Sequence, residues 1–359
     1  MNLKDIASLR LRQQQLTEIS FNTPGALVKW MGAMQSQDYN MSKWAIGLRV
    51  PGTTDQSIQQ AISEGKIIRT HVLRPTWHLV SPDNIRWMLQ LSAPHIKPLT
   101  KSRDKELELN EKIYTKSNGI IEKSLAGNKH LTREEVMTEL SRHKITADGS
   151  RASHLMFRAE LEGIVCSGKP KGKTHTYTLL DERVPQQKKV SRDEALSKLA
   201  LIYFTSHAPA TVKDFSWWSG LSLSDSRKAL DDVKDKMVCE KIGEELYWFP
   251  NGFKNHTDKK TSAHFLPAFD EYIISYKDRT AALALEHQPT AFTSNGIFRP
   301  VVLVNGKGIG IWSRSVKKEA LGIHVTFFKS PSKSARILLE KEVERLGFFL
   351  NKKADLHDD

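Results

Sequence analysis

Cysteine and long hydrophobic runs are what this sequence most lacks. Only two cysteines occur in 359 residues, Cys166 and Cys239, and each follows a valine in a predicted strand. Since no Cys or His cluster has ligand spacing, we predict buried free thiols and no disulfide, metal site or cofactor. No apolar run approaches the roughly 20 residues of a membrane span, and the N-terminus lacks the apolar stretch of a signal peptide. We therefore expect a cytoplasmic protein with no membrane partner.

Acidic residues are also in deficit relative to basic ones. Lys and Arg total 54 against 41 Asp and Glu, which gives a net charge of +13. Excess positive charge raises the local concentration of polyanions, so composition favours nucleic acid as a partner. The alternative is a basic surface that only confers solubility. Charged and hydrophobic fractions of 26% and 39% are typical of a globular chain with a large core.

Two stretches of the chain repeat one order of elements. Residues 113–188 combine a capping box of Thr132 and Glu135, two helices, and two strands joined by a Gly/Lys/Pro loop. Residues 189–260 repeat the order of helices followed by a hairpin. This order is typical of a winged helix, a relative of the helix-turn-helix. Residues 1–112 fit a third, divergent unit.

The pattern changes from His264 onward. Asn305 and Gly306 separate two apolar segments and predict a hairpin with a type I′ turn. Residues 261–350 are predicted to form a β-rich, partly barrel-like element with a closing helix, and residues 351–359 a disordered tail. The predicted fold class is α+β, mainly α.

Two glutamines one residue apart, Gln35 and Gln37, lie between two predicted helices. Side chains two apart in a turn or extended segment point roughly the same way, so two amides can hold one water or polar ligand from two sides. The alternative is that both amides cap helix ends or face solvent. Asp38 follows directly. It is either a carboxylate base or oxocarbenium stabiliser, or the cap of the next helix.

Basic residues cluster within residues 113–188. The second predicted helix of that unit carries Arg151 and Arg158, and its hairpin loop carries Lys169, Lys171 and Lys173 among glycines. Such a loop, which we call the wing, can lie against a phosphate backbone and orient a protein without reading sequence. The corresponding hairpin of residues 189–260 carries three glutamates, so we expect that unit to be structural. The alternative for any one lysine is a solvated side chain.

The first predicted hairpin carries four more candidates. Arg69 and Arg74 are predicted phosphate contacts. His71 and His78 flank the hairpin, and either they lie near a phosphate or they pack within the hairpin.

A last polar group follows the apolar segment near residue 272. Lys277 and Arg279 are predicted to reach the phosphate backbone. The alternative is that Asp278 and Arg279 form an ion pair that fixes the domain junction.

Four features of the chain together resemble one known family. They are MQSQDYNMSKWAIGLR, RTHVLRPTWHLVSPDNIRWML, the repeated winged-helix order, and LPAFDEYIISYKDR followed by FRPVVLVNGKGIGIW. Across roughly residues 5–350 the chain resembles winged-helix DNA-binding proteins of the AlkZ type. The resemblance implies three tandem winged-helix units and a β-barrel-like element, wrapped in a C shape around double-stranded DNA.

The resemblance also implies a function. It points to a bacterial DNA glycosylase that acts on alkylated purines, including N7-alkylguanine and interstrand crosslinks, and a chain with several winged units has no need to dimerise. The family's catalytic pattern of glutamine, apolar residue, glutamine falls on Gln35, Ser36 and Gln37, with Ser36 as a small polar departure. The alternative is a non-catalytic winged-helix DNA-binding protein such as a transcriptional regulator.

The chemistry of such lesions suits neutral amides. Alkylation at N7 places a positive charge on the purine, which then leaves without a general acid. What remains is an oxocarbenium-like sugar and an attacking water. A glutamine is too weak to deprotonate that water, but it can accept a hydrogen bond from it and aim it at the anomeric carbon.

Overall fold

The computed structural model describes residues 2–253 and 261–358 and has a mixed α and β fold. Its first part combines helices with a three-stranded sheet. The elements are, in order, α1 (Leu3–Gln13), α2 (Pro24–Met31), β1 (Ala33–Gln35), α3 (Tyr39–Gly47), α4 (Asp55–Ser63), β2 (Ile68–His71), β3 (Trp77–Val80) and α5 (Pro82–Glu106). Strand β3 lies between β1 and β2 and is antiparallel to both.

The junction between α2 and β1 places Gln35 at the end of a strand. Thr23 caps α2 by accepting from the backbone N–H of Ala26, and Pro24 occupies the first turn. Gly32 ends the helix with a φ of +77°, and a Cβ there would lie only 2.6 Å from Ile202. Glycine tolerates both the positive φ and this close approach, so the chain can turn here and continue directly into the extended strand β1.

The middle of the chain contains two smaller sheets. Its elements are α6 (Glu111–Leu125), β4 (Leu131–Thr132), α7 (Arg133–Arg142), α8 (Gly149–Leu161), β5 (Val165–Ser167), β6 (Thr176–Leu179), α9 (Leu180–Arg183), α10 (Arg192–Ser206), α11 (Val212–Ser219), α12 (Leu223–Asp231), β7 (Met237–Ile242) and β8 (Glu245–Pro250). The first sheet has the order β4-β6-β5, and β7 pairs with β8. The predicted capping box of Thr132 and Glu135 is confirmed.

The C-terminal part is a curled half-barrel sheet with helices. Its elements are β9 (Ala263–Leu266), α13 (Glu271–Ile274), α14 (Gln288–Ala291), β10 (Val301–Val304), β11 (Lys307–Val316), β12 (Ala320–Phe327), α15 (Lys333–Leu350) and β13 (Lys353–Asp358). The strand order is β13-β12-β11-β10-β9. The predicted hairpin at Asn305 and Gly306 is confirmed, and both residues have the positive φ that a type I′ turn requires.

The predicted disordered tail, residues 351–359, is wrong over the six residues of β13. Asn351 adopts a left-handed conformation that ends α15, and the chain then pairs in parallel with β12. The tail has few apolar residues, so its own sequence gave little sign of order. Its order comes from the backbone hydrogen bonds of the β12 edge. Asp359 lies outside the described residues.

The N-terminal sheet lies between two hydrophobic cores. Met34 and Leu79 belong to a core shared with the C-terminal sheet and α15, whereas Ala33 and Val80 belong to a core shared with α10, α11 and α12. A third core lies within residues 109–179. Packing on both faces holds β1 and its last residue in place. The predicted boundaries after residues 112, 188 and 260 stay predictions, and the last lies outside the described residues.

The two cysteines differ. Cys166 is buried, as predicted, but Cys239 is exposed, because β7 belongs to a two-stranded sheet with its Val238–Cys239 segment open to solvent. Within residues 2–253 and 261–358, no helix is both long and apolar enough to cross a membrane. The same ranges contain no group of His, Cys, Asp and Glu residues able to hold a metal ion.

Candidate active site

The two glutamines of the motif lie in different surroundings. Gln35 is only 5% exposed at the end of β1, whereas Gln37 is exposed and its Oε1 accepts a long hydrogen bond from the Trp77 N–H at 3.5 Å. Ser36, between them, is buried and bonds to the Ser42 hydroxyl at 2.9 Å. The strand thus keeps one amide inside the protein and leaves the other at the surface.

A buried carboxylate fixes the backbone of Gln35. The Gln35 N–H donates to Oε1 of Glu271 at 2.5 Å, while Oε2 accepts from the Ser275 hydroxyl and the Trp218 indole. The Nε2 of His207 lies 3.8 Å from Oε2. Burial raises the pKa of Glu271, but the nearby His207 ring and the hydrogen bonds from Ser275 and the Gln35 N–H outweigh it and lower the pKa to about 2. An ionised carboxylate beside Gln35 suits a site where positive charge develops.

A row of polar side chains crosses the N-terminal sheet. Gln35 is opposite His78 on β3, and His78 is opposite Thr70 on β2; all three are buried. The Nδ1 of His78 lies 2.9 Å from the carbonyl of Thr76, so Nδ1 carries the proton and Nε2 is an acceptor. Burial and the charge of Arg74 lower the pKa of His78 to about 3, which keeps the ring neutral.

We predict that His78 makes folding sensitive to mild acid. Its folded pKa is about 3, whereas a free histidine has a pKa near 6.5. Between these pH values the unfolded chain binds a proton that the folded chain does not. The contribution of neutral His78 to the free energy of unfolding is therefore complete above about pH 6.5 and is lost as the pH falls. Between pH 7 and 5.5, wild type should lose about 1 kcal/mol more unfolding free energy than His78→Asn. Urea unfolding followed by circular dichroism measures this, and equal losses would contradict it.

Three predicted phosphate contacts converge on Trp217. The charges of Arg74, Arg279 and Lys277 lie 5.9, 5.1 and 4.9 Å from the indole centroid. The Nε and Nη2 of Arg74 and the Nη2 of Arg279 are buried and have no partner among the described residues. Burial lowers the pKa of both arginines, and with the nearby Arg74 charge it brings that of Arg279 to about 10. We call these four residues the Trp217 cluster. It has the properties of an anion site.

The alternative ion pair between Asp278 and Arg279 is wrong. Arg279 donates to the carbonyls of Ile273 and Lys277, and the Asp278 carboxylate accepts from the N–H of Thr280. The short turn at Asp278 satisfies its carboxylate locally, which leaves the arginine to pack on aromatic rings.

Arg69 packs against the glutamine motif and binds the backbone of its middle residue. It is 9% exposed, donates to the Ser36 carbonyl at 2.9 Å, and lies 4.0 Å from the Trp77 ring centroid. These contacts hold the segment between the two glutamines. The phosphate contact predicted for Arg69 stays a prediction.

Asp38 caps α3, which was one of its two expected roles. Its carboxylate accepts from the Met41 N–H at 2.9 Å. Burial lowers the pKa of Arg314 on β11, and the negative charge of nearby Asp38 partly offsets this shift. A part for Asp38 in catalysis stays a prediction.

The wing lies beside the glutamine motif. Lys169, Lys171 and Lys173 are exposed between β5 and β6, and Lys171 forms an ion pair with Glu135. The ring of His175 at the base of the wing contacts the ring of Tyr39 edge-on, at 4.5 Å between centroids. Tyr39 is two residues from Gln37, so the wing and the motif share one side of the protein.

The arginines of α8 have partners within the protein. Arg151 donates to the carbonyls of Leu107 and Thr146. Arg158 forms ion pairs with Glu111 and Glu162. This face of α8 therefore packs on the ends of α5 and α6. The DNA contacts predicted for both arginines stay predictions, and these partners argue for a structural role.

Comparison with known proteins identifies the family. A sequence model described as DNA glycosylase AlkZ-like matches residues 28–349, which is most of the chain. The chain belongs to the AlkZ-like DNA glycosylase family. This confirms the family predicted from the four sequence features, and with it DNA glycosylase activity and DNA as the partner.

Two comparisons agree with the AlkZ-like assignment. The interstrand DNA cross-link repair glycosylase of Streptomyces sahachiroi is 23% identical over 336 residues, which cover 86% of this chain and 87% of that protein. The solved structure of DNA glycosylase AlkZ from the same organism has a TM-score of 0.86, with 20% identity and full coverage of both chains. The structural likeness shows that the two share a fold.

Two residues of this AlkZ-like site were missed by sequence reasoning. Glu271 lies 236 positions from Gln35, and nothing local marks a glutamate that binds a distant backbone N–H. Trp217 is adjacent to Trp218 on α11, yet of the two only Trp218 is fully buried, and the sequence alone does not distinguish them. The one available signal was the segment LPAFDEYIISYKDR, in which acids interrupt an apolar run.

Proposed function

We propose that this protein is a monofunctional glycosylase that hydrolyses the N-glycosidic bond of cationic N7-alkylpurines in double-stranded DNA, as a monomer in the bacterial cytoplasm. The observation that carries the proposal is the placement of Gln35. Gln35 is held by a packed strand, its backbone N–H binds the ionised carboxylate of Glu271, and Glu271 in turn lies close enough to Arg74 of the Trp217 cluster to influence its pKa. Neutral acceptors, a negative charge and an anion site are what this hydrolysis needs.

In the proposed reaction the purine leaves first and the water follows. The C1′–N9 bond breaks, and its electron pair cancels the positive charge of the alkylated ring. The Gln35 carboxamide accepts a hydrogen bond from the water and directs the water oxygen at C1′. The negative charge of Glu271 stabilises the positive charge that develops on the sugar. Positioning of this kind contributes several kcal/mol at most. It is enough for an activated lesion and too little for an undamaged base.

The arrangement of basic groups supports binding to a duplex. Residues 131–179 contain β4, α7, α8, β5 and β6, with a sheet order that fits a winged-helix unit. We propose that its wing and the Trp217 cluster contact phosphates, and that three such units surround the duplex in a C shape. The acidic hairpin of β7 and β8 then serves structure.

The direct test is base release. Incubation with duplex DNA carrying N7-methylguanine should liberate the free base and leave an alkali-labile abasic site, whereas the undamaged duplex should stay intact. Duplex binding without any release would exclude the enzyme and favour the alternative of a DNA-binding regulator. Gel analysis of a duplex with an N7-linked interstrand crosslink shows whether unhooking, which the name of the Streptomyces relative includes, extends to this chain.

We predict that the wing supplies affinity and salt dependence. Replacing Lys169, Lys171 and Lys173 with Ala together should weaken duplex binding and reduce the slope of log affinity against log salt by up to about three, because each phosphate contact contributes about 0.9. The rate of base release from saturated complexes should change little. Fluorescence anisotropy over a range of salt concentrations measures the slope.

The acidic hairpin and the short turn of helix that precedes it offer a matched control for that variant. Lys234, Lys236 and Lys241 are also exposed, and replacing them with Ala makes the same change in net charge. The slope should then stay close to that of wild type. Equal slopes for both triple variants would mean that the wing contributes only its share of net charge.

A further inference from the structure

We propose that His78 is a catalytic residue: its Nε2 and the Oε1 of Gln35 together accept hydrogen bonds from the water that attacks the sugar. The inference rests on the proposed function and deepens it. It adds a histidine from β3 to a site otherwise described by glutamines alone, and it replaces Gln37 as the second acceptor.

The register of the sheet brings the two side chains together. The Gln35 N–H points away from β3 to Glu271, while the next N–H, that of Ser36, donates to the Trp77 carbonyl at 2.7 Å. Gln35 and His78 therefore form a non-hydrogen-bonded pair, the kind in which opposite Cα atoms are about 4.5 Å apart and side chains are closest. Both side chains lie on the face of Ala33 and Val80.

The pair offers two acceptor atoms that belong to different strands. Gln35 Oε1 and His78 Nε2 are both buried, and neither has a partner in the described part of the chain. Two acceptors on one face cannot bond to each other, but the two O–H groups of a single water satisfy both. Buried polar atoms are nearly always hydrogen-bonded to protein or to ordered water, which makes a water the natural occupant.

The surroundings of His78 keep its ring neutral, so Nε2 remains a hydrogen-bond acceptor. The Thr76 carbonyl holds the Nδ1 proton, and the charge of Arg74 opposes a second proton on the ring. Of the other ionisable groups near it, Glu271 favours protonation and His71 opposes it. When the water oxygen bonds to C1′, the proton it loses passes through Nε2 to solvent, and the electron pair of C1′–N9 leaves with the purine.

Gln37 is less suited to this position. Its side chain is exposed, and its Oε1 is directed to the Trp77 N–H. An exposed amide can contact the sugar-phosphate backbone, but it competes with bulk water for any single water molecule. The buried imidazole holds its acceptor atom in a fixed place.

A pair of amide substitutions separates the two ring nitrogens. The amide nitrogen of His78→Asn takes the place of the Nδ1 donor, and the amide oxygen of His78→Gln reaches the place of the Nε2 acceptor. We expect single-turnover release of N7-methylguanine to fall on the order of 10²-fold in His78→Asn and to stay within about tenfold of wild type in His78→Gln. A purely structural histidine would give the reverse order, because the one hydrogen bond that its ring makes within the described residues uses Nδ1.

Further variants keep the test decisive. His78→Phe retains a ring and removes the acceptor, so it should be as slow as His78→Asn while remaining folded by circular dichroism. His264→Gln alters another buried histidine, in β9, and should release base at the wild-type rate. Folded His78→Phe or His78→Asn with wild-type rates would overturn the inference and leave the proposed function standing. Wild-type protein without any base release would overturn both.

Discussion

Replacing Gln35 with Ala should slow base release by about 10²- to 10⁴-fold, the range of a positioned catalytic group, and should change duplex affinity less than about twofold. The side chain is buried at the end of β1, unlike the exposed lysines of the wing, so its loss removes little that a bound phosphate would contact. The bond from its N–H to Glu271 and the neighbouring bond from the Ser36 N–H to β3 start from main-chain atoms and persist in the variant. Single-turnover release from saturated complexes and anisotropy measure the two quantities separately.

Gln37→Ala is the matched comparison for that variant. It removes the same side chain two residues later, but from an exposed position. We expect a loss of base release that is smaller than in Gln35→Ala, together with a larger effect on binding. Wild-type rates in a folded Gln35→Ala protein would show that the proposed mechanism is wrong, whatever the effect at Gln37.

Local signals in the sequence predicted the local structure well. The Thr132–Glu135 capping box and the Asn305–Gly306 turn each depend on residues within four positions of one another. Such contacts form in the same way whatever the rest of the chain does. The helices and hairpins of the predicted units follow from these signals.

Contacts between distant segments were beyond such reasoning. Helical spacing placed Arg151 and Arg158 on one face of α8, but the sequence does not say that α5 and α6 cover that face. In the same way, the polar tail was predicted to be disordered. The strand that pairs with it is 33 positions away in sequence, as in the pair Ala320 and Lys353, so nothing local indicates the pairing. Burial of a polar residue depends on such long-range packing.

The candidate site shows the same division. The spacing of Gln35 and Gln37 drew attention to the motif, and the family resemblance gave it a chemistry. The strand that ends at Gln35 then separates the two amides by burial. His78 lies opposite Gln35 because of the register in which β1 pairs with β3. The sequence of the β2–β3 hairpin does not determine the register of a third strand. The carboxylate behind Gln35 comes from residue 271 and needs the whole fold.

Replacing Arg49 with Met should destabilise the protein by about 3–5 kcal/mol, the cost of leaving one member of a buried ion pair alone. Both side chains of the Arg49–Asp270 pair are 0% exposed, and two bonds of 2.8 Å join guanidinium and carboxylate. The remaining Arg49 donors bond to Gln14 and to the Ala45 carbonyl. Urea unfolding at pH 7 measures the loss.

Two comparisons isolate the buried charge as the cause. Lys29 and Asp83 form an exposed ion pair joined by a single contact of 2.6 Å, so Lys29→Met should cost less than about 1 kcal/mol. Adding Asp270→Asn to Arg49→Met removes the stranded carboxylate and should restore at least half of the lost stability, with the Asn oxygen still able to cap Tyr272. Because Asp270 directly precedes Glu271, the single variant should also loosen the carboxylate that holds Gln35. Its base release should therefore fall at temperatures where the protein is still folded.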